Sequence, residues 1–193
     1  MLRVENIPTN NNAYVLVANH ASYIDSYVLS AQLPEPFSFI AKSELASSFI
    51  TRVPLKNIHT EFVERFDTSK SVKDTKHLAE LLKSDHKLMF FAEGTFTRAA
   101  GLMPFHLGAF SIAANANVPV IPIAIRGTRS ILRDGNLFPR HGSIHIEIGE
   151  PINPQDLIKD KKADNWQIAI DLRDQSRLFI LRHCGEPDLN REG

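Results

Sequence analysis

Short, strand-sized apolar runs separated by helix-length stretches constrain the fold of this sequence more than any other feature. Tyr14 to Ala18, Phe37 to Ala41, Thr60 to Val63, Lys87 to Ala92 and Val118 to Ile125 all read as strands. Ser26 to Gln32 reads as a helix ended by Pro34 and Pro36, and Phe105 to Ala116 as another. Ser69 to Lys83 is a third, with Val72, Leu78, Ala79, Leu81 and Leu82 on its buried side. Strands alternating with helices predict an α/β fold, a mixed and largely parallel sheet flanked by helices. Ile144 to Ile148 alternates like a half-exposed strand, and Asn165 to Cys184 closes the pattern as a loosely amphipathic helix stopped by Gly185.

The remaining stretches carry less. Residues 1–12 end in Asn10-Asn11-Asn12, a turn-like lead-in. Leu45, Ala46, Phe49, Ile50 and Val53 form an apolar stripe that reads as core in preference to a membrane anchor. There is no internal repeat, low-complexity tract or linker-like shift in composition, so residues 1–193 are expected to form a single domain. At 43% hydrophobic and 23% charged, the composition is that of an ordinary globular fold. Net charge is zero, which argues against a nucleic-acid partner held by overall electrostatic attraction. The single cysteine, Cys184, excludes an intramolecular disulfide and reads as a packing residue. No apolar run approaches the ~20 residues that span a bilayer, and the first residues lack the apolar core of a signal peptide.

Polar residues with chemical potential follow two of the strands directly. After Tyr14 to Ala18 comes Asn19-His20-Ala21-Ser22-Tyr23-Ile24-Asp25. Positions five apart face opposite sides of a strand and lie roughly 140° apart around a helix. His20 and Asp25 can therefore meet only if the chain turns between them. If they meet, the carboxylate fixes the tautomer of the imidazole, whose other nitrogen can take a proton from a hydroxyl. The plainer alternative makes Asp25 a helix-start residue. After Lys87 to Ala92 comes Glu93-Gly94-Thr95-Phe96-Thr97-Arg98, at the strand end where open α/β sheets bind ligands. Taken alone, this is as readily an ordinary turn.

The pattern Asn-His-x-Ser-x-x-Asp after a strand resembles the His-x4-Asp block of the glycerolipid acyltransferases, the family that includes 1-acylglycerol-3-phosphate acyltransferase. Three later stretches are similar to that family's other blocks, in order: Phe39 to Leu45 continuing to Phe62-Val63-Glu64-Arg65, then Glu93-Gly94-Thr95, then Val118 to Ile125. Two departures stand out. Ala92 stands where the family has proline, and Phe96 where it has arginine, with Arg98 two positions late. The resemblance implies a glycerol-3-phosphate acyltransferase-like fold and acyl transfer from a thioester to the free hydroxyl of a lysophospholipid, most simply 1-acylglycerol-3-phosphate. It implies that His20 is the base and Asp25 its support, that Lys42, Arg65 and Arg98 hold the acceptor's phosphate, and that Glu93, Gly94 and Thr95 shape the acceptor pocket.

The resemblance further implies acyl-CoA or acyl carrier protein as donor, no metal or prosthetic group, and peripheral work on the cytoplasmic face of a membrane. Members often carry apolar helices before the first block, which here lies close to Met1, so a larger fused protein stays open as an origin. A lipid- or anion-binding module that keeps the fold without turnover is the rival expectation. Arg126, Arg129 and Arg133 read as a basic cluster for donor phosphates or lipid headgroups, or as a solvated loop. His141 and His145 are spaced like metal ligands, but lie on or beside a strand whose polar face is expected to point outward.

Overall fold

The computed structural model describes residues 7, 12–33, 36–42, 60–63, 77–133, 135, 138–158 and 164–190, without the side chains of 41, 42 and 60–63. The lead-in other than residues 7 and 12, the apolar stripe from Leu45 to Val53, Glu64-Arg65 and the first part of the third helix lie outside these residues.

Among the described residues six strands form one sheet: β1 Tyr14–Ala18, β2 Ser38–Lys42, β3 Thr60–Val63, β4 Lys87–Phe91, β5 Val120–Arg126 and β6 His145–Ile148. Their order is β3-β2-β4-β1-β5-β6. β1 to β5 pair in parallel, and β6 joins β5 antiparallel. The sheet is thus mixed and largely parallel, as the alternation of runs predicts. The described helices are α1 (Asp25–Gln32), α2 (residues 77–83), α3 (Gly108–Ala116), α4 (Thr128–Ile131) and α5 (Asn165–Cys184).

β1 shows why a continuous apolar run suits a central parallel strand. Every residue in it is buried. Val15 and Val17 face one layer, with Phe110 of α3 and Leu172 and Ile180 of α5. Tyr14, Leu16 and Ala18 face the other, with Leu29 of α1 and Ile121 and Ile123 of β5. β6 alternates instead, because only one of its faces is covered: Ile146 and Ile148 are buried, while His145 and Glu147 are exposed.

Several boundaries shift by a single residue, and two differ from the sequence reading by more. α3 starts at Gly108, not Phe105, because the His106 N–H donates to Ala92 O at 2.9 Å, which ties the chain before the helix to the end of β4. β5 starts at Val120, not Val118, because the Val118 N–H closes the end of α3 on Ala113 O at 3.1 Å. Asn117, at φ 52°, supplies the left-handed residue that such an end requires. α5 runs as expected from Asn165 to Cys184, with the Asp164 carboxylate accepting from Gln167 N at its start and Gly185 at φ 70° beyond its end. No described helix is long and apolar enough to cross a membrane.

Candidate active site

β1 sits between β4 and β5, so the chain segments leaving these three strands emerge side by side at one edge of the sheet. This is where a parallel α/β sheet opens a crevice. Asn19 braces that edge. Its side-chain amide donates to Ile125 O at 2.9 Å, and its carbonyl accepts from Ile125 N at 2.8 Å. The side chain thereby continues the β1–β5 pairing after the backbone of β1 has turned away. Asn19 is 1% exposed, so Asn19→Ala strands two backbone groups. The expected loss is about 2–6 kcal/mol, at about 1–3 kcal/mol for each of the two orphaned groups, and urea denaturation of the two proteins measures it.

The turn between His20 and Asp25 is built by the aspartate. One oxygen, Oδ2, accepts from the backbone N–H groups of Ala21 and Ser22 at 2.7 and 2.8 Å. The same oxygen lies 2.9 Å from His20 Nδ1. Successive N–H groups converging on an anion form a small nest, and here the anion is supplied by the chain itself. Asp25 is fully buried at the first turn of α1, and no side chain caps that helix. The Ser22 hydroxyl donates to Leu132 O at 2.6 Å, anchoring the turn to the segment after α4. With Nδ1 committed to Asp25, Nε2 is the nitrogen left to exchange a proton.

Two phenylalanines hold the imidazole from the side. Phe91 stacks on it at 4.0 Å between ring centroids and 12° between planes, and Phe96 meets it edge-on at 4.4 Å. Tyr23 in turn packs edge-on against Phe96 at 4.8 Å. The His20 side chain keeps 18% of its surface exposed. Phe96, the residue that breaks the family pattern, is therefore part of the histidine's immediate surroundings.

The stretch after β4 turns at Gly94, which has φ 70° and donates its N–H to Phe91 O at 2.9 Å. Glu93 does not face an open pocket as a wall residue would. It is 2% exposed, and its two oxygens accept from His20 N at 2.7 Å and Met103 N at 2.8 Å. Burial raises its pKa to about 7, outweighing the lowering effect of those two amides and of the Arg129 charge; the nearby Glu186 carboxylate adds a small rise. A carboxyl group raised in this way favours the folded state fully below the ordinary carboxylate range, and that contribution is lost as pH rises through about 7. Glu93→Gln is therefore expected to remove a dependence of stability on pH of about 3 kcal/mol between roughly pH 4.5 and 7. Chemical denaturation of wild type and variant across that range measures it.

The other predicted residues are less concentrated. Thr95 and Arg98 are exposed on the loop after β4. Lys42 is the last residue of β2, two strands from β1, and its side chain lies outside the described residues, as does Arg65. The three arginines at and beyond the end of β5 are not one free cluster. Arg129 donates from Nε to Glu186 at 2.7 Å and from Nη1 to Thr97 O at 2.5 Å, whereas Arg126 and Arg133 are exposed. Arg129 thus ties the segment after α5 to the loop after β4. Cys184 is buried in the core, and burial pushes its thiol pKa up, which suits packing. Asn19, Phe91 and Phe96 were not read as site residues from sequence, and Arg129 only as one of a basic cluster or a solvated loop. A polar residue ending a buried strand and an aromatic in place of arginine were the available signals.

The buried Asp25 carboxylate beside the partly exposed His20 imidazole, at the carboxyl edge of a parallel sheet, is an arrangement chemically able to move a proton. The chain belongs to the acyltransferase family, whose model matches residues 2–126. It is 35% identical over 180 residues to the chloroplastic 1-acyl-sn-glycerol-3-phosphate acyltransferase of Brassica napus, covering 88% of this chain and 50% of that protein. It is 35% identical over 159 residues to the chloroplastic enzyme of that name from Arabidopsis thaliana, covering 78% and 42%. The chain spans about half the length of these curated relatives. Its fold matches the crystal structure of the 1-acyl-sn-glycerophosphate acyltransferase PlsC of Thermotoga maritima, with TM-score 0.67 and 23% identity over 92% of this chain and 70% of that one.

Proposed function

We propose that this chain transfers a fatty acyl group from a thioester to the free hydroxyl of 1-acylglycerol-3-phosphate, giving phosphatidic acid. The observation that carries the reading is the 2.9 Å contact between His20 Nδ1 and the buried Asp25 carboxylate at the carboxyl edge of β1. The relatives named for this reaction support the choice of acceptor.

In the proposed reaction, His20 Nε2 takes the proton of the acceptor hydroxyl as its oxygen attacks the thioester carbonyl carbon. Asp25 stabilises the imidazolium that forms. Collapse of the tetrahedral intermediate breaks the carbon–sulfur bond, and the departing thiolate recovers the proton from His20. A thiolate is a good leaving group, so one base suffices and no acyl-enzyme is needed. Lys42, Arg65 and Arg98 are assigned to the acceptor's phosphate, which would bring its hydroxyl to the histidine. Gly94 and Thr95 stay assigned to the wall of the site, while Glu93 enters only through the His20 and Met103 amides it holds. The donor is acyl-CoA or acyl carrier protein, and the work is done peripherally at the cytoplasmic face of a membrane, where the lipid acceptor resides.

The test is release of free thiol from palmitoyl-CoA with and without lysophosphatidate, repeated with acyl carrier protein as donor. Release that depends on lysophosphatidate is the expected result, and preference for glycerol 3-phosphate or another lysolipid would reassign the acceptor. Release that ignores the acceptor would make the protein a thioesterase. Vesicle binding without release from either donor would leave a binding module.

A further inference from the structure

The parallel ladder between β1 and β4 ends in an exchange of partners. Ala18 pairs with Phe91, and the Ala92 N–H still donates to Ala18 O at 3.0 Å. The next bond of a regular parallel ladder would run from His20 N to Ala92 O. That carbonyl is already taken by His106 N at 2.9 Å. The His20 amide instead finds Glu93 Oε1 at 2.7 Å, while Oε2 holds the Met103 amide at 2.8 Å. Met103 is itself a fixed point. Its neighbour Leu102 donates to Pro187 O at 2.8 Å and accepts from Leu189 N at 3.0 Å, so the segment after α5 clamps this loop from the other side.

We propose, resting on the acyltransferase reading above, that Glu93 is a positioning residue which sets the place of His20 through its backbone and does not bind the acceptor. Both of its oxygens are occupied by main-chain donors, and at 2% exposure it offers nothing to a phosphate or hydroxyl in the crevice. The side-chain length matters. Aspartate is shorter by about 1.5 Å and cannot span the two amides, whereas glutamine keeps the reach but offers an acceptor to only one of them.

The experiment compares Glu93→Gln and Glu93→Asp with wild type in steady-state acyl transfer. It also follows the His20 and Met103 amides by nitrogen-15 NMR. A displaced base lowers kcat and leaves acceptor binding alone. We expect kcat to fall about tenfold for glutamine and about a hundredfold for aspartate, with the lysophosphatidate KM changed by no more than about twofold. In the wild type, both amide resonances should move together as Glu93 titrates near pH 7, and both should be displaced in each variant. A KM raised about tenfold at unchanged kcat would overturn the proposal and make Glu93 an acceptor ligand. So would a glutamine variant indistinguishable from wild type, or His20 and Met103 amides unmoved by both substitutions. A wild type that turns over no lysophosphatidate would sink the proposed reaction instead, and the amide shifts in the variants would still decide whether Glu93 holds His20.

Discussion

His20→Ala is expected to reduce acceptor-dependent thiol release by between about a hundredfold and ten-thousandfold, the span general-base catalysis commonly contributes. The substitution removes the nitrogen that takes the proton and leaves the scaffold standing. Asp25 would keep its bonds from Ala21 N and Ser22 N, and Glu93 would keep its bond from the residue-20 amide. What stability is lost comes from the vacated stack on Phe91 and the edge contact with Phe96, worth about 0.5–1.5 kcal/mol each. Stopped thiol-release assays and thermal melts on the same preparations separate the two effects. A folded alanine variant that turned over at the wild-type rate would remove His20 from the mechanism.

Asp25 is expected to give two different results with two different replacements. In Asp25→Asn, the remaining oxygen can still gather the Ala21 and Ser22 amides and the His20 ring N–H. The new amide nitrogen would occupy the place of Oδ1, which has no hydrogen-bond partner among the described residues. The turn should survive while the negative charge that stabilises the imidazolium disappears, lowering kcat by about a hundredfold to ten-thousandfold. In Asp25→Ala the two backbone N–H groups and the imidazole lose their common acceptor at once. Unfolding free energy should then fall by about 3 kcal/mol or more, at 1–3 kcal/mol for each stranded donor. Wild-type kcat in the asparagine variant would reduce Asp25 to a structural clasp.

The layered architecture was legible because parallel strands covered on both faces must be apolar along the covered length, and β1, β4 after Lys87 and β5 before Arg126 are written that way. The order of strands was not. Nothing local in Lys87–Phe91 says that it slips between β2 and β1, since pairing between distant segments is decided by the assembled layers. The His20/Asp25 pair was readable as a requirement for a turn. The means of making it, one buried oxygen gathering two backbone amides and a ring nitrogen, had no signature in residue spacing. Glu93 shows the limit most clearly. Its position at a strand end pointed to the crevice, but an unpaired His20 amide drew its carboxylate inward. Arg129 was likewise read as a surface cation, yet a carboxylate beyond α5 and a carbonyl beyond β4 both claim it.

The central place of β1 has a consequence in time. Its neighbours arrive late: Glu93 follows His20 by 73 residues, and Ile125 follows Asn19 by 106. A ribosome adding 5–20 residues per second needs on the order of ten seconds to make that second interval. Until β4 is made both edges of β1 lack their partners, and the edge that meets β5 waits longer still. A chain whose first strand waits for its fifth folds through distant contacts, which slows folding and lengthens the exposure of sticky edges. The histidine is among the first site residues synthesised, and its surroundings are among the last to close.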